Sequence, residues 1–130
     1  MGHRSDPVEV IWADGPAAFE FLLTEYDFLG PERTDEGLAY YRSDLRVEIT
    51  HWFFKNEAGF STTLSRPGDT LDSRRSVELD DLFVACGLGP PQAVPGQSGA
   101  GHTIRKRIVQ HAEALRQVMP RLDEALPRLG

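Results

Sequence analysis

The chain is poor in cysteine, in lysine and in long apolar runs, and each shortage removes a class of protein. One cysteine, Cys86, permits neither an internal disulfide nor a cysteine-based zinc site, which suits a reducing compartment. No apolar run approaches the roughly 18 residues of a membrane span, and the opening "MGHRSDP" carries no signal-peptide core, so the expected location is cytoplasmic. Lysine is limited to Lys55 and Lys106 among 14 basic residues; this arginine bias, with abundant Gly, Ala and Pro, points to a GC-rich bacterial genome.

Chemical motifs are equally sparse. There is no P-loop and no G-x-G-x-x-G between a strand and a helix, and "GLG" at 87–89 runs into two prolines. No G-x-S-x-G elbow marks a nucleophile. The histidines stand at positions 3, 51, 102 and 111 without metal-ligand spacing, and His102 and His111, nine apart, face nearly opposite ways on one helix. The expectation is no cofactor, no metal and no catalytic residue.

What is present is the composition of a single soluble domain: 130 residues, 40% hydrophobic and 26% charged. The net charge of −6 is uneven, with 17 acidic and 8 basic groups in residues 1–99 and 3 acidic and 6 basic groups in residues 100–130. An acidic body disfavours phosphate backbones and hence nucleic acid, and it suits either plain solubility or a basic protein partner.

Periodicity gives an α+β domain with an N-terminal helix, an antiparallel sheet of three or more strands, and two C-terminal helices on one sheet face. "VEVIW" at 8–12 reads as a short strand or extended arm. "DGP" at 14–16 then opens a helix with Pro16 at its first position and an apolar face of Ala18, Phe19, Leu22, Leu23 and Tyr26. Glu20, Thr24 and Asp27 fall on the solvated side. Asp27 occupies the left-handed position that glycine fills best, with Phe28 folding back on the apolar side. A polar loop, 30–37, precedes strands at 38–42, 45–54 and 59–65.

In the middle strand Leu45, Val47, Ile49, His51 and Phe53 share the face read as core. Arg46, Glu48, Thr50, Trp52 and Phe54 share the other, which begins polar and ends aromatic. After the loop 66–75, Ser76 is the expected N-cap of a helix with the stripe Leu79, Leu82, Phe83 and Cys86, ended by Gly87. A Gly/Pro-rich loop, 87–101, leads to the last helix, with a stripe running from Ile104 through Leu115 to Leu126 and a break at Pro120.

Phe21-Leu22-x-x-Glu25-Tyr26-x-Phe28, Tyr41-x-Ser43, Val47-x-Ile49 and Leu79-x-x-Leu82 resemble a group of small bacterial α+β proteins whose opening helix ends in "F-L-x-x-E-Y-G-F"; Asp27 replaces that glycine. The likeness spans residues 16–86. Some proteins of this look are immunity proteins that neutralise a toxin encoded beside them, and the resemblance implies that role without supplying catalytic residues.

The leading expectation is therefore a non-enzymatic, acidic protein-binding module, with Trp52 and Phe54 as aromatic anchors and Glu48 facing a basic partner. Two alternatives are a small-ligand pocket between sheet and helices and a small hydrolase using His51, whose ordinary reading is a hydrogen-bonded core or rim histidine.

Overall fold

The computed structural model describes residues 7–54, 57–66, 76–96 and 101–122. Two helices, α1 (Pro7–Ala18) and α2 (Phe21–Glu25), lead into five strands: β1 (Leu29–Arg33), β2 (Gly37–Arg42), β3 (Leu45–Phe54), β4 (Glu57–Ser65) and β5 (Ser76–Glu78). The strands pair antiparallel in chain order, so the sheet is a simple meander. Helix α3 (Leu79–Ala85) follows β5 directly. A 3₁₀ turn at Pro91–Ala93 precedes the long helix α4 (Gly101–Val118), which tightens into a second 3₁₀ turn, Met119–Arg121, at Pro120. The chain is thus an α+β protein.

Residues 8–12 are helical, where alternation suggested a strand. Val10, Ile11 and Gly15 are the buried positions of α1, and this helical spacing overrides the β-branched character of the segment. Gly15 is a packing glycine more than a start signal: a Cβ there would stand 2.6 Å from Leu38 Cδ1, so its absence lets α1 lie close on β2. The start therefore moves from Pro16 to Pro7, and Pro16 falls in the last turns of α1.

Asp27 has φ +63°, the left-handed conformation expected of it. The Phe28 amide donates back to the Leu22 carbonyl at 3.0 Å, closing the helix end, and the Phe28 ring is buried. Glu20, Thr24 and Asp27 are exposed, as a solvated face requires.

The polar stretch 30–37 is not all loop. Its first half is β1, an edge strand in which Pro31 supplies no N–H to the edge. The turn that follows is pinned from outside the sheet: Trp12 Nε1–H of α1 donates to the carbonyls of Gly37 at 2.8 Å and Thr34 at 3.2 Å. Side-chain alternation cannot reveal such a tie, because it reaches across 25 residues.

Leu38 and Tyr40 of β2, Leu45, Val47 and Ile49 of β3, and Phe60 and Leu64 of β4 project into one core with the apolar faces of the helices. The expected core face of β3 ends early: His51 is only half-buried and Phe53 is 70% exposed. The register explains this, since β2 pairs with β3 only from Leu45 to Thr50. Beyond Thr50 the strand continues with β4 as its only ladder neighbour among the described residues, out to Phe54 opposite Glu57.

Ser76 begins β5 and does not cap a helix. α3 starts at Leu79 with Glu78 extended at its N-cap position, and Asp80 and Asp81 complement the positive helix start. Gly87, at φ +71°, turns the chain out of α3. The basic C-terminal quarter folds against the acidic body through α4: Arg105 pairs with Asp14 of α1 at 2.9 Å and Arg116 with Glu25 of α2 at 2.8 Å. Both pairs are exposed and each contributes about 0–1 kcal/mol. The loop 66–75 is described only at Arg66, and Leu126 and residues 97–100 lie outside the described residues.

Candidate functional site

The outer sheet face, opposite the core, carries Tyr41, Arg46, Glu48, Thr50, Trp52, Ser61 and Thr63, all exposed or half-exposed. Much of it is internally satisfied. Arg46 lies over the Tyr41 ring at 5.1 Å, and its Nε is 3.0 Å from Glu48 Oε1, close enough for an ion pair though not aligned as a hydrogen bond. Tyr41 in turn donates to Glu32 at 3.3 Å. Glu48 therefore has its charge answered on its own strand.

Trp52 differs from its neighbours. Its indole covers Gly59, the directly opposed residue of β4, and its Nε1–H donates to Ser61 Oγ at 3.2 Å, while 44% of the residue remains exposed. Glycine at 59 makes this possible, because a Cβ would overlap the indole ring. Gly59→Ala is expected to dislodge the ring: in a two-dimensional NMR spectrum the Trp52 indole N–H resonance moves while that of Trp12 stays. An unmoved Trp52 signal would show that the seating does not depend on Gly59.

Trp52 borders a notch of about 610 Å³ between β4, the start of α3, residues 94–96 and α4. The notch exists because β5 is short. It pairs with β4 only at Thr63–Ser65, leaving the β4 edge from Ala58 to Thr62 without a strand neighbour on that side. Phe60, Leu79 and Val94 supply apolar wall, and Ser61, Thr62, Glu78, Asp80 and His111 supply polar groups. Burial raises the Glu78 carboxyl above its usual pKa, and the nearby Asp80 and Asp81 carboxylates raise it further. Among the described residues no cation pairs with these three acids.

His111 is the most constrained polar group at the notch. It is buried, with Nε2 2.7 Å from the Pro95 carbonyl oxygen and Nδ1 2.9 Å from Thr62 Oγ1. A carbonyl can only accept, so Nε2 carries the hydrogen; the neutral ring then accepts the Thr62 hydroxyl hydrogen at Nδ1. The ring also meets Phe60 edge-on at 4.6 Å. Burial, foremost, presses its pKa from the usual 6.5 down to about 4; the Pro95 hydrogen bond opposes this and the Arg107 charge adds to it.

Of the residues singled out in the sequence, Trp52 is at the notch and Glu48 is not. They share a face but stand four residues apart on one strand, about 13 Å. The backbone of Phe54 ends β3, and its side chain lies outside the described residues, as does that of His102. His51 does not line the notch. Cys86 is half-buried against the core. Sequence reasoning weighed His111 only as a metal ligand and passed over Thr62, although a signal existed: Thr62 falls between Phe60 and Leu64 at core parity in β4, and His111 falls at helical spacing between Ile108 and Leu115. Two polar residues at apolar positions are best explained as partners.

Among the described residues no group of three or more His, Cys, Asp or Glu could hold a metal ion, and no helix is long and apolar enough to cross a membrane. Comparison with protein-family models, curated proteins and solved structures finds no match to this chain.

Proposed function

We propose that the chain is a non-enzymatic binding module that engages a basic protein partner at the end of its sheet, with Trp52 as the anchor. The observation that carries this reading is the seating of Trp52: an indole held over Gly59, bonded to Ser61 and still open to solvent at the lip of the notch. A large aromatic fixed before binding loses little freedom on docking, and such residues concentrate interface energy. Glu78 and Asp80 give the notch a negative border, which favours a cationic surface. Glu48 contributes less, being paired with Arg46.

The arrangement behind this reading gathers α1 and the two C-terminal helices α3 and α4 on one sheet face and leaves the other to the partner. An immunity-type protein that masks a basic toxin is the particular form suggested by the resemblance in the opening helix, and steric masking would then be the mechanism. Phe54 belongs to the same surface in this proposal.

The test is affinity capture with wild type, Trp52→Ala and Glu48→Gln side by side at low and high salt, followed by titration of the captured protein. The expected result is one stoichiometric basic partner whose affinity falls at least about 30-fold with Trp52→Ala, the loss of a hot-spot side chain. Higher salt weakens binding, and Glu48→Gln changes it little. Equal binding by wild type and Trp52→Ala overturns the reading. A second reading, a small-ligand site, is favoured by the volume of the notch and its mixed lining. Stabilisation of the isolated chain by a small molecule, lost when the notch is filled by Ala58→Leu, would select it.

A further inference from the structure

The segment 94–96 lies along the β4 edge where β5 has ended. Three attachments hold it: the Val94 side chain is buried, the Phe60 amide donates to the Gly96 carbonyl at 2.7 Å, and His111 donates to the Pro95 carbonyl at 2.7 Å. His111 also accepts from Thr62 on β4, so one imidazole on α4 ties this segment to the strand beneath it. Val94 and Gly96 form one wall of the notch, and Phe60, Thr62 and His111 are shared between the notch and the tie.

We propose that residues 94–96 are a strap latched onto β4 by neutral His111, and that the strap opens as a unit, widening the notch and freeing the β4 edge at Phe60 while the rest of the sheet stays paired. The attachments are few and local, as in segments that open below the global unfolding free energy. The meander from β2 to β4 does not depend on them, because the β3–β4 ladder runs from Arg46 to Phe54 on both sides of Phe60 and the β2–β3 ladder, Leu45 to Thr50, ends short of it.

The latch has a defined chemical state. Protonating His111 puts a hydrogen on Nδ1, which no longer accepts from Thr62, and places a charge in a buried site. Around the ring, β4 presents Phe60 and Thr62 without charge, the strap presents the Pro95 carbonyl, α4 presents Arg107, and Glu78 and Asp80 lie across the notch. Acid therefore favours the open strap, and the device is closed at neutral pH. It holds whatever the notch receives, and its test needs no ligand.

Residue-resolved hydrogen exchange on the full chain tests the latch, with the Phe60 amide as reporter and the amides of Val47 and Ile49 as reference. In His111→Phe, which keeps ring packing and loses both hydrogen bonds, the Phe60 amide is expected to exchange at least about 10-fold faster at pH 7, with the reference amides unchanged. His111→Gln, which can still donate to Pro95, falls between the two. In wild type, after correction for intrinsic rates, lowering the pH from 7 towards 4 is expected to accelerate the Phe60 amide by a larger factor than the reference amides, which follow only the loss of global stability, and in His111→Phe this excess does not appear. Should His111→Phe fail to fold, Thr62→Val removes the β4 side of the latch and is expected to give the same selective acceleration. Unchanged Phe60 protection in either variant overturns the proposal, as does acceleration of Phe60 and the reference amides by the same factor, which would make the tie part of the global fold.

Discussion

Gly37→Ala is expected to destabilise the protein by about 3–4 kcal/mol, among the larger effects a single substitution produces. A Cβ at this position would overlap the Ile49 carbonyl oxygen and stand 3.0 Å from the Ile49 carbonyl carbon and 3.3 Å from Thr50 Cα. All three are backbone atoms of the central strand, so no rotamer change relieves the clash and β2 must move away from β3. The same residue anchors the β1–β2 turn: its amide donates to Thr34 Oγ1 at 3.0 Å, and its carbonyl accepts from the Trp12 indole at 2.8 Å. Displacing it therefore loosens the hold of α1 on the sheet as well. Urea unfolding followed by circular dichroism reads the effect as a lowered midpoint at unchanged slope. A loss below about 1 kcal/mol would mean that the edge of the sheet yields freely and that this pin is not structural.

Acid should take more stability from the wild-type protein than from a variant without the buried imidazole. His111 has a folded pKa of about 4 against the usual 6.5, so between these values the unfolded chain binds more protons than the folded one. Stability from this group is complete above pH 6.5, falls as the pH drops through the window, and is down by roughly 3 kcal/mol near pH 4. His111→Gln loses stability at pH 7 with its altered hydrogen bonds, but its stability curve should be flatter from pH 6.5 to 4. Other groups do not mimic the difference. Glu78 is raised in the folded protein and works in the opposite sense, regaining stability as acid neutralises it. Asp44, held below 3.8 by its hydrogen bond from Arg42, loses its contribution only below the window. Parallel pH profiles for wild type and His111→Gln would contradict the assignment of a neutral, buried imidazole.

The two effects touch different layers of the molecule. Gly37 joins α1 to the far edge of the sheet through the β1–β2 turn. His111 joins α4 to the near edge through β4 and the strap. The binding surface proposed at Trp52 lies on the near side, so altering the latch should change the shape of the notch without disturbing the indole, which rests on Gly59 and Ser61.

The ten residues of β3, the run of β2, the left-handed Asp27 and the apolar stripe of α4 could all be read from the amino-acid order. Each is decided by neighbours within a few positions: alternation fixes which side chains share a strand face, and 3–4 spacing fixes a helix stripe. Where that local signal was ambiguous, packing decided. Residues 8–12 alternate like a strand and became helix because Gly15 lets α1 press against Leu38. Residues 30–33 look like loop and became an edge strand because Gly37, Thr34 and Trp12 close the turn beside them.

The candidate site shows the same division. By itself the sequence determined that Trp52 and Glu48 share a face, since both have even parity on one strand. Only the tertiary structure decided that Trp52 is seated over Gly59, because pairing register sets which residues meet across strands, and that Arg46, two residues away on the same strand, turns to Glu48. The notch follows from the early end of β5, and the union of Thr62 with His111 spans 49 residues, a distance at which sequence carries chemical type but no geometry.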